Sequence, residues 1–97
     1  MTLLTLEEYR STITPKMFEV KDTSALTVDI WPYVQELVNA KILSLEVLED
    51  ELIDGIYRNS ENTFEHVQLP MEDPNVFTFI IIDIKLAMIK GHFCLDL

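Results

Sequence analysis

Glycine, cysteine and basic residues are the scarce components of this 97-residue chain, which has two glycines, one cysteine and seven lysines and arginines. Gly55 and Gly91 lie far apart, so they cannot form a P-loop, a dinucleotide-binding turn or a nucleophile elbow, which need glycines a few residues apart. The single thiol, Cys94, excludes an internal disulfide, a multi-cysteine metal cage and a redox pair. It fits a reducing compartment. The bases Arg10, Lys16, Lys21, Lys41, Arg58, Lys85 and Lys90 are scattered, no two adjacent, whereas phosphate binding needs them clustered. A long apolar run is also lacking: Val76–Ile89 is 14 residues long and contains Asp83 and Lys85, against about 20 apolar residues for a bilayer span. No charged-then-apolar leader opens the chain. The expectation is a cytoplasmic protein that binds neither membrane nor nucleic acid directly.

Apolar residues make up 48% of the chain, enough for one core and far above the disordered range. Thr5-Leu6-Glu7-Glu8 has the capping-box pattern and predicts a short helix over Leu6–Thr12, stopped at Thr14-Pro15. Met17–Val20 reads as a short strand or an extended segment. Asp29 as cap and Pro32 in the first turn predict a helix over Ile30–Lys41, with Ile30, Val34, Leu37 and Val38 on its apolar side. Trp31 and Tyr33 point to different sides of that first turn. Ser44 opens a second helix, with Leu45, Leu48, Leu52, Ile53 and Ile56 as its stripe.

From about Tyr57 the period changes from 3.6 to two. Phe64–Leu69 and the β-branched, aromatic run Val76–Ile82 predict strands, the latter buried on both faces. Asp83–Leu86 turns the chain into a half-buried strand in which Ala87, Ile89, Gly91, Phe93 and Leu95 alternate with Met88, Lys90, His92, Cys94 and Asp96. A rival reading makes Asp83–Lys90 a helix stopped by Gly91. The expected fold is a single α+β domain. A helical part over about residues 1–56 packs on one face of an antiparallel meander of about three strands over about residues 57–97.

Catalytic chemistry finds little support. The carboxylate pairs Glu7/Glu8, Glu49–Glu51 and Glu72/Asp73 sit where acids are normally solvated, and acid–base work needs one of them in a dry pocket. A reactive thiolate wants an electropositive setting, which a chain of net charge −10 does not offer Cys94. His66, His92 and Cys94 form a conceivable metal set if their strands pair, though His-x-Cys is not a strong zinc spacing. The chain is expected to be non-enzymatic and without cofactor.

The acids themselves are unevenly placed. Glu46, Glu49, Asp50, Glu51, Asp54, Glu61, Glu65, Glu72 and Asp73 stand against Arg58 alone, a net −8 within 28 residues. Like charges at helical spacing cost about 0.2–0.5 kcal/mol per pair, and mixed signs give solubility without that cost. Such a field steers a basic partner toward the protein. In size, charge and lack of catalytic apparatus the chain is similar to small acidic inhibitors of bacteria and phages, such as immunity proteins that neutralise a nuclease toxin. That resemblance implies a non-enzymatic inhibitor of a basic protein, a toxin or another nucleic-acid-handling enzyme. The partner-binding residues would be Glu46, Glu49, Asp50, Asp54, Glu61, Glu65, Glu72 and Asp73, with Tyr57 as an aromatic anchor. The alternatives are an adaptor that forms a homodimer or a hetero-oligomer through an edge strand at Met88–Leu95, and a small metal-binding protein or enzyme built on His66, His92 and Cys94.

Overall fold

The computed structural model describes residues 3–5, 17–20, 26–59 and 61–96. Among the described residues six strands form one sheet: β1 (Leu3–Thr5), β2 (Met17–Val20), β3 (Gly55–Asn59), β4 (Phe64–Pro70), β5 (Val76–Asp83) and β6 (Met88–Asp96). Their order is β1-β6-β5-β4-β3-β2. Strands β2 to β6 pair antiparallel, and β1 joins parallel to β6 at Leu3↔Cys94. Among the described residues two short helices, α1 (Trp31–Asn39) and α2 (Leu45–Glu49), lie in the connection from β2 to β3. The fold is α+β, with a sheet larger than the three-strand meander expected. The helix expected over Leu6–Thr12 falls outside the described residues.

One sheet face carries the main core. Ile56, Val67, Leu69, Ile80 and Ile82 meet Ile30, Val34, Leu37, Leu43 and Val47 from the helices and their connection. Each large aliphatic side chain buried there contributes about 1.5–3 kcal/mol. The opposite face is aromatic, with Phe79 stacked on Phe93 at 5.2 Å and tilted against Tyr57 at 6.5 Å. The His66 ring meets the Phe93 ring edge-on at 5.9 Å. Phe79 and Leu95 are buried on this side too, while Phe77, Ile81 and Phe93 are half-buried, so this face is covered only in part, short of the burial on both faces expected of Val76–Ile82.

The second helix is shorter than its apolar stripe implied. It ends at Glu49, Glu51 takes a left-handed conformation (φ 50°), and Leu52 N–H donates to the Val47 carbonyl at 3.0 Å. That six-to-one bond is a Schellman stop. Ile56, expected on the helix, instead belongs to β3 and enters the core from the sheet. Helix α1 ends the same way: Lys41 has φ 62°, Lys41 N–H reaches Val38 O at 3.0 Å, and Ile42 N–H reaches Leu37 O at 2.9 Å. Glycine normally fills this position without steric cost. Here the two glycines are elsewhere, and L-residues hold both stops. Replacing Glu51 by glycine should therefore raise stability by about 0.5–1 kcal/mol, since it also removes an acid from a helix C-terminus. Urea unfolding checks this, and a loss of stability would contradict the assignment.

The hairpin after Asp83 resolves the other ambiguity. Residues 84–87 form a turn, with Ala87 at φ 51° and Leu86 N–H bonded to Asp83 Oδ1 at 3.0 Å. There is no helix over Asp83–Lys90. A bulge follows, because Ile82 pairs with Ile89 while Ile81 pairs with Gly91, leaving Lys90 as the extra residue. Gly91 takes φ 147°, which L side chains rarely adopt. The extra residue shifts the alternation by one. Ile89 therefore packs in the helix-side core while Phe93 and Leu95 belong to the aromatic face, although strict alternation had grouped all three.

Candidate functional site

At one end of the sheet the α1–α2 connection faces the β4–β5 connection across an open groove of about 520 Å³, lined by residues from Val38–Leu45 and Met71–Val76. The Lys41 stop turns the chain away from α1, and Ser44 occupies the cap position of α2 in an extended conformation. Across the groove, Asp73 shapes its own loop: its Oδ1 accepts from Asn75 N–H at 2.9 Å and its carbonyl from Val76 N–H at 3.1 Å. Such local carboxylate-to-backbone bonds are how Asp orders a short turn. A second opening of about 260 Å³, lined by Glu46, Val47, Leu52 and Pro70 among others, shares Ser44, Met71 and Glu72 with the first.

The structure brings most of the candidate acids to this end. Glu46 and Glu49 are exposed on α2, Asp50 and Glu51 are exposed just after it, and Glu72 and Asp73 are exposed on the β4–β5 connection. Asp54 precedes β3 at the same end, its N–H bonded to Gln68 O at 2.9 Å. Partial desolvation raises the Asp54 carboxyl above its ordinary value, yet the residue stays exposed and available at the surface.

Three candidates do not belong with them. Glu61 is exposed in the β3–β4 turn, at the opposite end of the sheet. Tyr57 points to the aromatic face, away from the helices; its hydroxyl donates to Gln68 Oε1 at 3.1 Å and its ring packs over Gly55. Glu65 is the clear correction. It is fully buried on the helix face, where it accepts from Arg58 Nε at 2.7 Å, Thr27 Oγ1 at 3.1 Å and Thr27 N–H at 3.3 Å. Its charge is spent internally. The signal was present in the strand period, which places Glu65 on one side with Val67 and Leu69.

The metal set also separates. His66 pairs across from Ile81 and His92 across from Ile80, and a one-residue offset puts side chains on opposite faces. Strand β5 lies between their strands. His66 packs on the aromatic face, and burial lowers its pKa to about 4. His92 and Cys94 face the helices, where His92 Nδ1 lies 2.8 Å from the Tyr33 hydroxyl. Burial, and secondarily Glu36, raises the Tyr33 pKa, so the phenol keeps its proton. Cys94 Sγ sits buried 3.5 Å from Thr78 Oγ1. Among the described residues no group of three or more His, Cys, Asp or Glu side chains is placed to hold a metal.

The edge-strand expectation is altered as well. β6 is interior at its C-terminal end, where β1 pairs with Cys94–Asp96. Among the described residues Met88–Phe93 has no outer strand, and that stretch carries the Lys90 bulge, a device that blunts edge-to-edge pairing.

What the sequence did not reveal is the apolar part of the site. Val38, Ile42, Leu45, Met71 and Val76 converge on the groove from segments about 30 residues apart, and Leu45 is 53% exposed. No family model, curated protein or solved structure matches this chain.

Proposed function

We propose that this chain is a non-enzymatic binding protein that meets a basic partner protein through the acidic end of its sheet, in the manner of a small immunity-type inhibitor. One observation carries the reading: seven exposed acids, Glu46, Glu49, Asp50, Glu51, Asp54, Glu72 and Asp73, are gathered at one end of the fold, beside a groove with apolar walls. An apolar centre with a charged rim is the anatomy of a protein interface. The acids at the C-terminus of α2 oppose the helix dipole, so they cost stability where they stand. Their gain lies in steering and orienting a cationic surface. A partner with a positive cleft, as enzymes that handle nucleic acid have, suits that field, and the binding compartment would be the cytoplasm. Among the described residues no helix is long and apolar enough to cross a membrane.

The combined substitution Glu49→Lys, Asp50→Lys and Asp54→Lys is expected to weaken binding of a cognate basic partner by about tenfold or more, mainly through slower association. All three positions are exposed, so the urea midpoint should hold or rise. Surface plasmon resonance on wild type and variant reads both rate constants. Unchanged association would remove this end of the molecule from the interface.

A further inference from the structure

The two openings at the acidic end are neighbours and are taken together as one channel. They share Ser44, Met71 and Glu72, the larger extending toward Val38 and Val76 and the smaller toward Leu52 and Pro70. Aliphatic side chains line its length, and Leu45 stands 53% exposed on its rim. Covering such surface removes apolar area from water, which favours binding. Met71 lines both openings, and its sulfur accepts the Thr78 hydroxyl at 3.1 Å. A methionine there gives a polarizable surface that adapts to varied side chains. Three exposed acids, Glu46, Glu72 and Asp73, line the channel against one base, Lys41.

We infer that this channel seats a single segment of the basic partner, an apolar side chain over Met71 with lysine or arginine beside it meeting Glu46, Glu72 and Asp73. The inference rests on the function proposed above and adds where and how the partner is held. A small-molecule ligand fits less well, since such sites aim a few convergent polar groups inward. Among the described residues every buried side-chain nitrogen and oxygen already has a partner. The charge ratio along the channel selects a cationic segment, and the exposed leucine selects one with an apolar anchor.

The test is selection of a phage-displayed random-peptide library on the intact chain, followed by titration of the most enriched synthetic peptide into isotope-labelled protein. Enriched sequences should place Lys or Arg next to a large apolar residue, and amide shifts should concentrate in residues 41–46 and 70–76. The exposed double variant Leu45→Ser/Glu72→Lys should weaken the peptide by about tenfold or more without moving the unfolding midpoint. No enrichment, no basic bias, or shifts centred elsewhere would overturn the inference. Glu49, Asp50 and Asp54 lie outside the channel lining, which keeps the two claims separable. A basic partner weakened by reversing those three charges but indifferent to Leu45→Ser/Glu72→Lys leaves the acidic end in place and removes the channel. A partner indifferent to both variants removes both.

Discussion

Replacing Arg58 by methionine is expected to lower the unfolding free energy by about 3–5 kcal/mol, the range for breaking a buried ion pair from one side. Arg58 and Glu65 stand directly opposite each other on β3 and β4, with Nε and Oε2 at 2.7 Å. The Glu65 side chain is wholly inaccessible, while Arg58 keeps 26% of its surface exposed. Removing the guanidinium leaves a carboxylate in the core with two neutral donors, both from Thr27. Those same bonds fix the segment leading into α1, so the loss reaches the helical layer. Domains of this size have about 5–15 kcal/mol in total, and the variant would stand near the edge of folding. The double variant Arg58→Met/Glu65→Leu should regain only part of the loss, because it removes the stranded charge but leaves the Thr27 N–H and hydroxyl without their acceptor. Urea unfolding of the wild type and both variants measures this. A loss below about 1 kcal/mol for Arg58→Met would mean that the pair is not buried as described.

The second large effect is a loss of stability on acidification that depends on His66. Burial against the aromatic face lowers its pKa from 6.5 to about 4. As pH falls through 6.5 the unfolded chain takes up a proton on this ring, and the folded protein does not until about pH 4. Unfolding therefore becomes easier across that window, by about 3 kcal/mol in all. Above pH 7 both states are neutral at His66 and the effect vanishes. Asp54 works with the opposite sign, since its raised carboxyl takes up a proton earlier in the folded state than in the unfolded one. Comparing wild type with His66→Phe isolates the histidine. The variant's stability should be nearly flat between pH 7 and pH 4.5 where the wild type falls, and parallel curves would contradict the assignment.

Local pattern carried part of this structure and missed what depended on distant pairing. The helix at Trp31–Asn39 was legible from Pro32 and the apolar spacing, although Asp29 bonds Trp31 N–H while Ile30 takes the cap position. β4 and β5 were legible from strand period and composition. β3 was hidden because Leu52, Ile53 and Ile56 continue the helical spacing of Leu45 and Leu48, and only the left-handed turn at Glu51 breaks it. β1 is three residues long and pairs with the far end of the chain, so nothing near it in sequence marks it. At the candidate site the acids of α2 and of the β4–β5 connection were readable as a charge excess. The groove between them was not, because its walls come from two connections that only the tertiary fold brings together.

The most direct test of binding through the acidic end is capture from host lysate, with the wild-type chain and the Glu49→Lys/Asp50→Lys/Asp54→Lys variant as parallel baits, washed at low and at high salt. The expected result is a basic protein held by the wild type at low salt, depleted at high salt and absent from the variant. A partner retained equally by both baits, or held without regard to salt, would contradict the account and return the acids of α2 to a solvated surface.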